Sequence, residues 1–152
     1  MFCGRGRRVA VRLACAVPAV AKSYRELIVW QRAIELSTTL YELTRDFPRE
    51  EIYGLTSQLR RAGVSVASNI AEGWRRGTRP DYRNFLSVAR GSALEVQTQL
   101  VIAGRLGYGQ TPKLKESEGL AIEVGKMLWT MVEKMGADTN ERTADSGGEA
   151  GG

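Results

Sequence analysis

The feature that most constrains this chain is an apolar spacing of three and four residues that recurs in four segments, broken by proline and glycine, with no stretch that alternates as a strand would. Leu27, Trp30, Ile34, Ser37 and Tyr41 form one row, and Leu36, Leu40 and Leu43 form another beside it. A first helix with a wide apolar face is therefore expected before Phe47-Pro48. Ser23-Tyr24-Arg25-Glu26 reads as its capping box, with Ser23 accepting from the Glu26 amide while the Glu26 carboxylate reaches back. Leu55, Leu59, Ala62, Val66 and Ile70 place a second helix from about Glu51 to the Gly73 region. Thr78, Pro80 and Asp81 signal the start of a third, which buries Tyr82, Phe85, Leu86, Ala89, Ala93, Val96, Leu100 and Ala103 and stops at Gly107 and Gly109. Thr111-Pro112 opens a fourth, carrying Leu114, Ala121, Val124, Leu128, Met131 and Met135 on one stripe. Four helices of roughly twenty residues joined by short connections predict an all-α, antiparallel up-down-up-down four-helix bundle.

Small residues mark where the bundle is tight. Ala62, Gly63, Ser65, Ala67 and Ser68 on the second helix, and Ala89, Gly91, Ser92 and Ala93 on the third, would let these two neighbours approach closely. Gly63 and Gly91 each cost about 1 kcal/mol relative to alanine in a helix interior, so each is expected at a contact that excludes a side chain, within the chain or between subunits.

With 152 residues, 43% of them hydrophobic and 26% charged, the chain suits one globular domain, expected over residues 23–135. Residues 1–22 hold Arg5, Arg7, Arg8, Arg12 and Lys22 without an acid and imitate a secretory signal. Arg12 interrupts the apolar run, Pro18 shortens it, and it is too short to span a membrane. This segment is expected to be non-structural, either a disordered basic arm or sequence preceding the real start. Residues 136–152 are polar and Gly-rich and are expected to be disordered.

The composition also excludes chemistry. The absence of histidine removes the commonest general base and metal ligand, and no nucleophile, oxyanion loop or phosphate loop presents itself. No catalytic residue, metal site or cofactor is expected, and Cys3 and Cys15 suggest no disulfide framework, which suits a reducing cytoplasm. The net charge of +5 favours polyanionic partners, yet residues 23–135 hold only about three more basic than acidic side chains, so clustering must carry that case.

The densest basic cluster is Trp74-Arg75-Arg76-Gly77-Thr78-Arg79-Pro80-Asp81-Tyr82-Arg83, which ends at a helix N-terminus where free amides and the helix dipole favour phosphate. Arg75, Arg76, Arg79 and Arg83 are the candidate nucleic-acid contacts, and Trp74 and Tyr82 could stack on bases. The plainer alternative is that Arg75 and Arg76 complement the C-terminal dipole of the second helix and the rest is a solvated face. Asn69 and Glu72, three apart, are expected to face the third helix near Arg90 and Ser92. A buried Arg90–Glu72 pair bridged by Asn69 would fix helix register, or the same group would shape a binding surface. Trp30, Phe47, Pro48 and Tyr53 read as core and loop packing.

The series Leu27-x-x-Trp30, Phe47-Pro48, Gly54-Leu55-Thr56-Ser57-Gln58-Leu59-Arg60-Arg61-Ala62, Ser68-Asn69-Ile70-Ala71-Glu72-Gly73 and Ala89-Arg90-Gly91-Ser92 resembles the bacterial four-helix-bundle proteins encoded in intervening sequences of large-subunit ribosomal RNA genes. The resemblance covers about Ser23 to Met135. That family is similar to the accessory variability determinant of diversity-generating retroelements, a homopentameric barrel that binds a reverse transcriptase and nucleic acid. The resemblance implies a bundle that assembles as a homopentameric ring, with a reverse transcriptase or a ribosome-associated protein as possible partner and no membrane. The function expected from both lines is a non-catalytic, oligomeric nucleic-acid-binding adaptor. The alternative is a protein-only scaffold whose basic face docks an acidic protein.

Overall fold

The computed structural model describes residues 21–145, with side chains described over 21–136. The expectations for residues 1–20 and 146–152 lie outside the described residues. Among the described residues are four α-helices and no strand: α1, Ile28–Leu43; α2, Leu55–Arg76; α3, Arg79–Leu106; and α4, Thr111–Asp145. Each packs mainly against two others, α2 on α1 and α3, and α4 on α3 and α1, which makes a square bundle.

Cross-helix contacts fix the directions. Ser37 donates to the carbonyl of Gly63 (2.8 Å) and Arg60 to Thr44 (2.8 Å), so α1 and α2 run antiparallel. Gln97 donates to the Ala121 carbonyl and Arg83 to that of Val132, which sets α3 against α4 in the same sense. Ion pairs of Arg32 with Glu123 and of Lys113 with Glu42 close the square between α1 and α4. Leu36, Leu40, Leu59, Leu86, Leu100 and Leu128 are fully buried along the axis. Each is worth about 1.5–3 kcal/mol by transfer alone, so the axis rather than the surface pairs holds the bundle together.

Several boundaries differ from the sequence expectation. Ser23 and Glu26 cap a short 3-10 turn, Tyr24–Glu26, and α1 starts only after Leu27. Ser23 Oγ accepts from the Arg25 amide, and the Glu26 carboxylate accepts from that of Lys22. The second helix begins at Leu55 rather than Glu51, because Arg49–Tyr53 form a 3-10 turn and the Glu51 carboxylate accepts the Leu55 amide (2.9 Å). It also runs through Gly73 to Arg76 and ends where Gly77 takes φ +76. The fourth helix continues past Met135 to Asp145, where composition pointed to disorder. Ala137, Glu141, Arg142 and Ala144 tolerate helix well enough to carry the backbone past Gly136.

The packing of α1 is narrower than its apolar pattern. Leu36, Leu40 and Leu43 are buried, but Ile34 is 38% and Tyr41 45% exposed. Phe47 is buried against Tyr108, whereas Tyr53 is almost wholly exposed and belongs to no core. No helix among the described residues is long and apolar enough to cross a membrane.

Candidate nucleic-acid interface

The corner where α2 ends and α3 begins gathers the basic cluster. Gly73 makes the corner tight, since a Cβ on it would stand 2.7 Å from Phe85 Cβ and 3.0 Å from Tyr82 Cδ2. The glycine that follows Asn69 and Glu72 is therefore the point at which α3 presses on α2. Trp74 meets Tyr82 edge-on at 6.1 Å between ring centroids. Tyr82 is buried, so of the two aromatics proposed for stacking only half-buried Trp74 is accessible.

Arg75, Arg76, Arg79 and Arg83 are all exposed, and the structure brings them to this one corner with different commitments. Arg75 and Arg76 both hold Glu72, at 3.2 and 2.9 Å. Hydrogen bonding from Arg75, with the charge of both arginines, keeps the Glu72 carboxyl below the usual carboxylate range. Arg76 also lies over the Phe85 ring at 5.4 Å. Arg83 donates to the Val132 carbonyl (3.3 Å) and so stitches α3 to α4.

The helix N-terminus offers less to phosphate than its position suggested. Thr78 Oγ1 accepts the Asp81 amide and donates to the Asp81 carboxylate, while Pro80 has no amide to give. Anion attraction at this corner must come from the guanidinium groups.

The polar group at the α2–α3 seam forms differently from the sequence expectation. Asn69 donates to the Ser65 carbonyl (2.8 Å) and to Ser65 Oγ (3.1 Å), and Ser65 shares a 2.9 Å hydrogen bond with Ser92. Asn69 and Ser92 thus belong to one chain of hydrogen bonds across the seam. The Arg90–Glu72 pair does not form. Arg90 is spaced seven residues from both Arg83 and Gln97, which bond to α4, and it shares their edge of α3, away from α2. Ser65 is the member of this network that the sequence reading left out of the site, although its position four residues before Asn69 was a usable signal.

The small residues behave unequally. A Cβ on Gly63 would stand 2.7 Å from Leu40 Cδ1, so this glycine serves contact with α1 rather than α3. Gly91 is exposed, and a Cβ on it would meet no atom within 4 Å. Among the described residues no group of acidic or sulfur side chains could hold a metal ion.

Comparison with known proteins matches this geometry to relatives. No protein of curated function is matched by the sequence. The fold is similar to a crystal structure of a protein of unknown function from the S23 ribosomal protein family of Bacteroides thetaiotaomicron VPI-5482. The TM-score is 0.62 at 21% sequence identity, covering 69% of this chain and 98% of that one. A family model matches residues 25–130, the span that holds the bundle and the basic corner, and by that match the chain belongs to the 23S rRNA-intervening sequence protein family.

Proposed function

We propose that this protein is a non-catalytic, oligomeric adaptor that binds nucleic acid through phosphate contacts, acting in the cytoplasm. The observation that carries this reading is the convergence of Arg75, Arg76, Arg79 and Arg83, all exposed, on one corner of the bundle. Glu72 is held by two of the arginines and Asp81 by Thr78. The family name refers to 23S rRNA and the Bacteroides relative is placed in a ribosomal protein family, and both support an RNA setting. Binding of this kind is electrostatic and weakens steeply with salt.

A homopentameric ring is part of the proposal, and a reverse transcriptase or ribosome-associated protein is its proposed further partner. The distribution of exposed apolar side chains supports assembly. Ile34, Tyr41 and Val64 lie on the α1–α2 side, while Leu94, Val101, Ile122 and Trp129 lie on the α3–α4 side, each 38–50% exposed. Opposite, unlike patches favour head-to-tail contacts, which close into rings. The same patches favour the second reading, a protein-only scaffold, if the arginines prove idle.

The test is a salt-dependent titration of RNA and DNA. Because Arg83 also ties α3 to α4, the variant reverses Arg75 and Arg79 to glutamate, with a thermal melt beside wild type to check that the bundle stays folded. Wild type should bind at low salt, and the variant should lose at least about tenfold and show a shallower salt slope, by roughly one per phosphate contact removed. Equal binding by both proteins would leave the scaffold reading.

A further inference from the structure

Resting on the nucleic-acid reading, we infer that residues 1–20 are a second element of the interface, an arginine-bearing arm that joins the bundle at the basic corner and adds phosphate contacts to the strand bound there. The charge is written in the sequence. Arg5, Arg7, Arg8 and Arg12 stand in these twenty residues with no aspartate or glutamate among them. Basic segments at a chain terminus are a recurrent means of holding nucleic acid, because they add cations without having to fit a groove.

The structure supplies the place. Since α1 runs antiparallel to α2, its start lies beside the end of α2, where the basic corner is. The 3-10 turn Tyr24–Glu26 ahead of α1 touches α2. Ala21, Tyr24 and Trp74 all pack against one buried cluster that includes Ile70, Tyr82 and Met135. The described chain therefore begins at the corner end, and whatever precedes Ala21 enters the molecule there. The far end of the bundle is about 33 Å away, the length of the 22-residue α2. Lys22 and Arg25 are exposed and continue the cationic surface from the corner towards the arm, while the Glu26 carboxylate accepts the Lys22 amide. Of the other acids at this end, Glu72 is held by Arg75 and Arg76, Asp81 by Thr78, and Glu133 is exposed.

A strand lying across the corner presents a phosphate at every nucleotide, and twenty residues span at most about 66 Å, so the arm's arginines have phosphates within reach. What they change is the number of ion contacts, which the salt dependence of binding counts directly. Each phosphate contact on a single strand contributes about 0.7 to the slope of log affinity against log salt, so four arginines contribute up to about 3.

The experiment uses the full chain and a variant carrying Arg5→Gln, Arg7→Gln, Arg8→Gln and Arg12→Gln together, titrated with an oligo-uridine strand of about thirty nucleotides between about 50 and 200 mM salt. The variant should bind at least about tenfold more weakly at the lowest salt, with a slope shallower by about 2–3, and should melt at the same temperature as wild type. Unchanged affinity and slope overturn the arm and leave the corner reading intact. A lowered melting temperature also overturns it, by placing these arginines in the fold. Vesicles of phosphatidylserine and phosphatidylcholine are titrated alongside, and arginine-dependent binding to them with RNA binding unaltered would assign the segment to a lipid surface instead. If wild type binds no RNA at low salt, the arm and the adaptor reading fall together.

Discussion

Gly63 and Gly91 carry the same signature in the sequence, a glycine inside an apolar helix, yet their surroundings are opposite. The Leu40 side chain fills the space where a Gly63 Cβ would go, so Gly63→Ala should lower stability by about 1–3 kcal/mol through overpacking. Nothing approaches Gly91, and Gly91→Ala should raise the stability of the protomer by up to about 1 kcal/mol. Urea unfolding of the two variants beside wild type checks both signs. Tyr82 supplies a pH test. Burial pushes its hydroxyl up to about 12, whereas an unfolded tyrosine ionises near 10. The unfolded chain thus loses a proton first, so wild-type stability should fall from about pH 10 towards about pH 12, while Tyr82→Phe is spared that part of the loss. Urea midpoints measured at about pH 8 and about pH 11 should show the Phe variant gaining on wild type, and a constant gap would contradict it. Spacing made Asn69 and Ser92 legible as an inter-helix group, because both lie at the edges of buried stripes. The choice of Glu72 and Arg90 as their partners failed on phase. A long arginine can be assigned to either edge of a helix until its neighbours are known, and Gln97 and Arg83 place Arg90 on the α4 side.

At the scale of elements, the existence and order of all four helices were readable, because apolar period and punctuation agree at each one. The ends were less so. Glu51 looked like the first turn of α2, but its carboxylate serves as the cap of a helix that starts at Leu55. Gly54 makes that possible, since a Cβ there would stand 2.5 Å from Glu51 Oε2. Gly73 looked like a helix end and is instead a contact point, because a glycine signals both equally well. The seam that follows from it can be tested directly. Ser65→Ala and Ser92→Ala should each cost about 1 kcal/mol, and the double variant should cost less than their sum by about 0.5–1 kcal/mol. A purely additive result would mean that the 2.9 Å contact between the hydroxyls contributes nothing to holding α2 on α3.

For the whole molecule, the open question is what covers the two apolar sides. Ser37, between Ile34 and Tyr41, bonds Gly63 of α2, next to Val64, which places these three side chains along the α1–α2 seam. Gln97, between Leu94 and Val101, bonds Ala121 of α4, next to Ile122, which places that group along the α3–α4 seam. The two seams lie on opposite sides of the square, so a contact between unlike faces leaves one of each free on every dimer and propagates until a ring closes. Charges placed on one side at a time distinguish this from two separate symmetric contacts. Ile34→Glu with Val64→Glu blocks one face, and Leu94→Glu with Trp129→Glu blocks the other; all four side chains are exposed, so folding should survive. If the faces meet each other, light scattering should find wild type oligomeric, each variant alone monomeric, and an equimolar mixture of the two dimeric, because each brings the one good face that the other lacks. If each face instead met its own copy, either variant alone would still dimerise through its untouched side. A wild type that stays monomeric at micromolar concentration would remove the ring altogether, leaving a single basic corner to bind nucleic acid without the added field of its neighbours.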